Sequence, residues 1–329
     1  MPLKAGDVLR DRYVIQRFIS QGGMGSIYLA DDLRLEGRQC AVKEVRLDQS
    51  LSDKTLNQTR EQFQREANVL ARLDHPNLPK VSDFFSDEHV DYLIMDYVPG
   101  DDLRTLMHAA RRNNEFLQER EVLGWAGQLA DALTYLHEQH PPILHRDIKP
   151  SNLKLTPSGV LKLVDFGLVK ILAAEDATIT IIQGRGTALY TPLEQYGGDT
   201  GHTDVRSDIY AFAATLYHLL TNTKPLEARE RFLQPGSLIA LREINPDLSP
   251  RTARAILWSL SLHPEGRPQS IQQFKDALLG NWEPNSNGGT RIPMPPPTLT
   301  DVLSSSTERT LIWVSAGLLL LSLIASLAQ

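Results

Sequence analysis

Along the first hundred residues, short apolar runs alternate with polar breaks. Residues 12–19 (RYVIQRFI), 26–32 (SIYLADD) and 39–47 (QCAVKEVRL) are β-branched and bounded by Gly, Asp or Arg. That pattern predicts strands of an antiparallel sheet. Residues 55–72 then place Phe63, Ala67 and Leu70 on one face at helical spacing. Two prolines in DHPNLPKV end this helix, and YLIMDYV (92–98) predicts a further strand, closed by Pro99-Gly100.

After Gly100 the periodicity changes to helical. Residues 119–139 carry Val122, Trp125, Ala126, Leu129, Leu133 and Leu136 in register with a helix. Residues 208–221 are apolar nearly all round, which predicts a buried helix, and 251–262 and 270–279 predict two more. Between them SNLKLT and VLKLVDF, joined by Pro157-Ser158-Gly159, predict a small hairpin. The class is therefore α+β and bilobal. A small antiparallel β lobe with one helix spans 10–98, and a larger, mostly α-helical lobe spans 99–280.

Residues 281–309 have no periodicity and are rich in Gly, Asn and Pro, as a linker is. Thr310 to Ala328 contains no charged residue and is almost wholly apolar. It has the length of a single transmembrane helix. A buried core helix is the competing reading, but the run follows a polar, Pro-rich stretch.

Composition narrows the function. A net charge of −6 argues against a nucleic-acid partner. The basic pair Arg111-Arg112 reads as a solvated helix face. A single cysteine, Cys40, excludes a disulfide framework or a thiolate metal site and suits a reducing compartment.

FISQGGMGSIY (18–28) sets three glycines, Gly22, Gly23 and Gly25, between apolar flanks. No Lys follows, so it is not a Walker loop. It leads into a strand, so it is not a dinucleotide finger. Strand, glycine loop, strand is the order of a lid over phosphates, and equally of an ordinary hairpin turn. Ala41-Val42-Lys43 on the next strand puts an ammonium where it reaches phosphates, and Glu66 on the following helix is its best-placed carboxylate partner. Glu61 competes for that role. In HRDIKPSN (145–152), Asp147 is placed to accept the proton of an attacking hydroxyl. Lys149 offsets charge on a transferring phosphoryl group, and Asn152 offers an amide oxygen to a divalent cation. Asp165-Phe166-Gly167 closes the hairpin with a carboxylate that can bind the same cation.

These motifs, in this order, resemble the protein kinase family, and closely the bacterial eukaryotic-like (Hanks-type) serine/threonine kinases. The resemblance covers residues 10–280. It implies a bilobal fold, with ATP and Mg²⁺ (or Mn²⁺) as cofactors and protein hydroxyls as acceptors. Ile19, Ser20, Gly22, Gly23, Gly25, Ile27, Ala41 and Lys43 would line the nucleotide. Met95 would be the gatekeeper, with Asp96 and Val98 offering backbone groups to the base. Asn152 and Asp165 would hold the metal. Leu70, His145 and Phe166 match stacked apolar residues that link the Glu66 helix to Asp165. Lys149 matches the serine/threonine class. The same resemblance makes 168–185 an activation loop with Thr178 and Thr180 as phosphosites facing Arg146. Thr187 and Glu194 belong to the substrate segment, Glu194 pairs with Arg267, and Asp208 holds the catalytic-loop backbone.

The sequence departs from the family pattern at four places. Ser20 stands for the first lid glycine, and Pro192-Leu193-Glu194 for Ala-Pro-Glu. Ala213 stands for a glycine, and Lys154 for an apolar residue under the base. A stem of methylenes at Lys154 still covers a ring while its ammonium snorkels outward. The alternative reading is a pseudokinase acting as a nucleotide-binding or scaffolding module. A small-molecule kinase on the same fold is a more distant one. If the tail spans, the kinase domain is anchored at the cell membrane and faces the cytoplasm. Homodimerisation through Ser322-x-x-x-Ser326 or Gly317 is a further expectation. The sequence names no protein substrate.

Overall fold

A computed structural model of the chain describes residues 2–22, 25–46, 52–87, 90–165, 188–196 and 203–280. Gly23, Phe166, Gly167, Thr178, Thr180 and Thr187 lie outside the described residues, as do the linker and the apolar tail. Among the described residues no helix is long and apolar enough to cross a membrane.

The strands form one six-stranded antiparallel sheet. They are β1 (Val8–Leu9), β2 (Tyr13–Gly22), β3 (Gly25–Asp32), β4 (Gln39–Arg46), β5 (Val81–Asp87) and β6 (Val90–Asp96), ordered β1-β2-β3-β4-β6-β5. Alternate side chains go to opposite faces. One face buries Tyr13, Ile15, Tyr28, Val42, Phe85 and Ile94 as a core of its own. The other presents Val45 and Leu93 to Phe63, Ala67 and Leu70 of α1 (Asp53–Ala71), in a core that continues into the second lobe. β5 escapes the sequence pattern because only Val81 and Phe85 of its seven residues are buried.

The glycine stretch is a hairpin between β2 and β3, with Ser20 opposite Ile27 and Gly22 opposite Gly25. Gly25 is required by its neighbours. It takes a φ of +150°, and a Cβ there would collide with the Glu44 carbonyl oxygen on β4.

The second lobe holds α2 (Leu103–Arg112), α3 (Glu119–His137), α4 (Val205–Thr221), α5 (Ala228–Leu233), α6 (Leu241–Ile244), α7 (Pro250–Ser259) and α8 (Ile271–Leu279). Side-chain caps start four of these helices: Asp102 on α2, Asp204 on α4, Ser249 on α7 and Ser270 on α8. Every residue of α4 from Ser207 to Thr221 is buried, as its all-round apolar pattern predicts. The helix begins three residues before Asp208, at Val205, because Asp204 caps it; Asp208 sits in the first turn.

A three-stranded ribbon joins the lobes: β7 (Asp101–Asp102), β8 (Leu153–Leu155) and β9 (Leu161–Leu163). Asn77, in the stretch that stops α1, ties the ribbon down. Its Nδ2 donates to the Leu161 carbonyl at 2.8 Å, and its own carbonyl accepts from Leu163 N at 2.8 Å.

A 2.6 Å hydrogen bond joins the hydroxyl of Tyr190 to Nδ1 of His218 near the end of α4. Burial, with the charges of Lys224, His108 and Arg111 adding to it, lowers the His218 imidazole from 6.5 to about 4. The unfolded chain therefore takes up this proton first. Stability from this group is complete above about pH 6.5 and is lost as pH falls toward 4. The loss amounts to about 3 kcal/mol. Denaturant titrations across that window should show it in the wild type and show a flatter profile in His218→Gln; identical profiles would contradict it.

Candidate active site

The loop 144–152 lies between α3 and the ribbon, and α4 holds it from beneath. Asp208, fully buried, accepts from the backbone N–H of His145 at 2.9 Å and of Arg146 at 2.8 Å. His137 at the end of α3 donates Nε2–H to the same carboxylate at 2.9 Å. Burial would raise the Asp208 carboxyl, but the His137 hydrogen bond and charge, helped by His145 and the Arg146 N–H, outweigh it and keep the carboxylate ionised. Two turns along α4, Thr215 Oγ1 donates to the Ile148 carbonyl at 3.2 Å. The loop backbone is thus clamped on both sides of Asp147.

This clamp includes a conformational cost. Arg146 takes a φ of +62° and Asp165 a φ of +66°, values that non-glycine residues adopt only where surroundings enforce them. At Arg146 the enforcing contact is the Asp208 carboxylate. Burial also draws the Arg146 guanidinium below its ordinary value, against the pull of Asp208 and Glu66.

Asp147, Lys149 and Asn152 form one cluster. Lys149 Nζ donates to both Asp147 carboxylate oxygens, at 3.1 and 2.9 Å. Asn152 Nδ2 donates to the Asp147 carbonyl at 2.8 Å and to Oδ2 at 3.0 Å. With the amide nitrogen so committed, Asn152 Oδ1 is turned away from Asp147 and keeps its acceptor character. The Asn152 carbonyl accepts from Val164 N at 2.8 Å, which brings Asp165 alongside.

Lys43 reaches down from β4 to this cluster. It lies in register with Ile27 on β3 and Leu93 on β6, and its Nζ donates to Asp165 Oδ1 at 2.6 Å. Burial alone would raise the Asp165 carboxyl. The charge and hydrogen bond of Lys43, then Lys149 and His145, hold it below the usual carboxylate range. An ion pair thus spans the cleft between the lobes. The ion pair seen for Lys43 is with Asp165. Glu66 is buried on α1, facing the same core, whereas the competing Glu61 is exposed and pairs with Arg65 along the helix at 3.3 Å.

Ala41 is buried opposite Met95 in the β4–β6 ladder; Val98 is buried; Ile19, Ile27 and Met95 are half-buried and Ser20 exposed. Asp96 closes onto Lys80 twice: its N–H donates to the Lys80 carbonyl at 2.9 Å, and its side-chain Oδ2 accepts from Lys80 N at 3.2 Å. Leu70 and His145 are both buried. Lys154 is half-buried on β8, opposite Asp102 of β7 and Lys162 of β9. Burial lowers its ammonium against the pull of Asp102 and Asp101.

The Glu194–Arg267 pair is present, with the Arg267 side chain fully buried and that of Glu194 nearly so. Arg267 Nη1 and Nη2 donate to the two Glu194 oxygens at 2.7 and 3.0 Å. Its three remaining N–H groups go to the carbonyls of Ser261, Arg206 and Leu262. A buried guanidinium is tolerable only with its five donors satisfied, and here they are. The Tyr210 ring lies 4.9 Å beneath it. Sequence reasoning missed His137, Thr215, Asn77 and the Tyr190–His218 contact. Asn77 between two prolines was a usable signal; the others stand at unremarkable helical positions.

The donor set suits a hard divalent cation. An ionised carboxylate (Asp165) and an amide oxygen (Asn152) are the few protein oxygens that Mg²⁺ takes beside phosphates.

The protein kinase domain model matches residues 13–279. A probable serine/threonine-protein kinase of Streptomyces coelicolor is 34% identical over 283 residues, covering 81% of this chain and 39% of that protein. The tyrosine-protein kinase MasK of Myxococcus xanthus is 31% identical over 296 residues, covering 86% of this chain and 45% of that one. The crystal structure of the Mycobacterium tuberculosis PknI kinase domain is 29% identical with a TM-score of 0.65, covering 85% of this chain and 100% of that one. This chain spans less than half the length of these curated relatives. The Asp147 cluster, the Lys43–Asp165 pair and the match over 13–279 lead to one assignment: the chain belongs to the protein kinase domain family.

Proposed function

We propose that this protein transfers the γ-phosphoryl group of ATP to serine and threonine hydroxyls of proteins, with Mg²⁺ (or Mn²⁺) as the metal. The observation that carries the reading is the convergence of Asp147, Lys149, Asn152, Asp165 and Lys43 from both lobes on one cleft. Asp147 is positioned to accept the proton of the acceptor hydroxyl. Lys149 lies beside it, where a cation offsets charge on the transferring phosphoryl oxygens. Asn152 and Asp165 would hold the metal, which supplies charge neutralisation between the phosphates. Lys43 orients the α- and β-phosphates, with Glu66 as its best-placed carboxylate partner. The lid from Ile19 to Ile27 covers the phosphates, and Met95, Asp96 and Val98 border the base. Lys149 supports serine and threonine over tyrosine as acceptors, although one relative is named a tyrosine kinase.

Labelled ATP with Mg²⁺ and a mixed Ser, Thr and Tyr peptide set tests this. Incorporation on Ser or Thr is expected, and Asp147→Asn should lower it by about 10²–10⁴-fold. Equal incorporation in the variant, or none in either protein, would favour the scaffolding module. Mass spectrometry of the same reactions should place autophosphorylation on Thr178 or Thr180, where the phosphate would have Arg146 as its partner.

The apolar run 310–328 supports a single-pass anchor in the cell membrane, with the kinase domain in the cytoplasm where ATP is, and a homodimer through the tail. Removing residues 310–329 should shift the protein from the membrane fraction to the soluble one; unchanged partition would overturn the anchor.

A further inference from the structure

Lys154 is the departure from the family pattern that phosphoryl transfer leaves unexplained. It lies in the middle of β8, between Leu153 and Leu155. Leu153 is buried in the core of the second lobe, and Leu155 packs against that core. Side chains alternate along a strand, so Lys154 faces the other way. Its cross-strand neighbour Lys162 shares this face. Lys162 Nζ donates at 3.3 Å to the Leu78 carbonyl, in the connection between α1 and β5. This face of the ribbon is therefore the one turned toward the first lobe.

Two neighbours fix where along the cleft Lys154 stands. On one side is the metal-binding pair. Asn152 comes two residues earlier, and its carbonyl accepts from Val164 N beside Asp165. A strand advances about 3.3 Å per residue, so the Lys154 backbone lies roughly 7 Å from that of Asn152. On the other side is the segment Met95 to Val98. It runs through Gly100 into β7, where Asp102 is the register partner of Lys154. Gly100 takes a φ of +99°, and a Cβ there would collide with the Leu155 carbonyl oxygen, so this segment is seated directly on β8. A nucleotide with its phosphates at Asn152 and Asp165 extends from them toward Met95–Val98. Its nucleoside half then passes over Lys154.

The ammonium at this place has no partner of its own. Lys154 is half-buried, and among the described residues it makes no hydrogen bond and no ion pair. The acid opposite, Asp102, is committed to capping α2, accepting from Thr105 N at 2.7 Å and Thr105 Oγ1 at 2.9 Å. Lys162 carries the same sign. So does Arg17 of β2, whose Nη2 donates to the Tyr97 hydroxyl at 3.3 Å. A charge taken partly out of water without a partner is unfavourable, so a ligand that supplies one is favoured. The face of a purine ring does this, and the lysine methylenes pack on the same surface. Phosphates already have Lys43 and Lys149.

We propose that Lys154 is a base-reading residue, its ammonium making a cation–π contact with the purine ring of the bound nucleotide where the family pattern has only an apolar side chain. The inference rests on the nucleotide reading of the cleft. A cation is drawn to the electron-rich face of a ring, so binding should follow the electron density of the base.

The test uses the full chain without Mg²⁺ and reads binding by isothermal titration. The ligands are adenosine, ADP and 2-fluoroadenosine, whose fluorine withdraws electrons from the ring. The preference for adenosine over 2-fluoroadenosine should be about threefold or more greater in the wild type than in Lys154→Leu, and Lys154→Arg should keep most of it. Thermal melting checks that both variants are folded. An equal preference in wild type and folded Lys154→Leu would overturn the contact. So would a loss confined to ADP, which would put the ammonium on phosphate, or failure of the wild type to bind adenosine. The labelled-ATP reactions keep the two readings apart. Turnover with a preference that ignores Lys154 defeats the base contact alone, and a Lys154-dependent preference without turnover defeats phosphoryl transfer alone.

Discussion

The geometry of the cleft depends on one buried carboxylate. Asp208 sits in the first turn of a helix that is buried from Ser207 to Thr221, and a lone charge there would be costly. It is made tolerable by two backbone N–H donors and one imidazole N–H. Those donors belong to His145, Arg146 and His137, so the cost of burying the charge is offset only when the catalytic loop and the end of α3 are in place. The same contact holds Arg146 at its positive φ. What stabilises the carboxylate also fixes the loop that presents Asp147.

Charge is distributed in the same economical way at the other contacts between distant segments. Lys43 and Asp165 pair between strand β4 of the first lobe and the end of the ribbon, so an ion pair joins the two lobes. Glu194 and Arg267 pair beneath the substrate segment with every guanidinium donor used. Tyr190 and His218 do the same work with a neutral hydrogen bond, because burial and nearby cations exclude a proton from the imidazole. α4 supports three places in the second lobe: Asp208 under the loop, Ser207 donating to Glu194, and His218 under Tyr190.

Much of this was legible beforehand, for identifiable reasons. Asp147, Lys149, Asn152 and Asp165 stand at short fixed spacings, because one loop and one hairpin must deliver them to one point. Lys43 followed from strand order. The glycine stretch was ambiguous alone. The structure gives Gly25 a reason beyond phosphate, namely close approach to the Glu44 carbonyl. The start of α4 was placed three residues late because its cap, Asp204, precedes the apolar pattern. β5 was missed because an edge strand with two buried residues has almost no period. His137, Thr215 and His218 were beyond reach. Each works through a partner 28 to 71 residues away, and nothing local marks such a contact.

The account stands or falls on whether Asp208 positions the reactive loop. Asp208→Asn keeps the size of the side chain but turns an amide N–H₂ toward backbone donors. Each unsatisfied donor costs about 1–3 kcal/mol, which, expressed at the loop, is a rate loss of about 100-fold. The decisive measurement is kcat for peptide phosphorylation by this variant beside its ATP dissociation constant, with folding checked by thermal melting. The account predicts a folded protein that binds ATP within about threefold of wild type and has lost about 100-fold or more in kcat. A folded variant with wild-type kcat would contradict it.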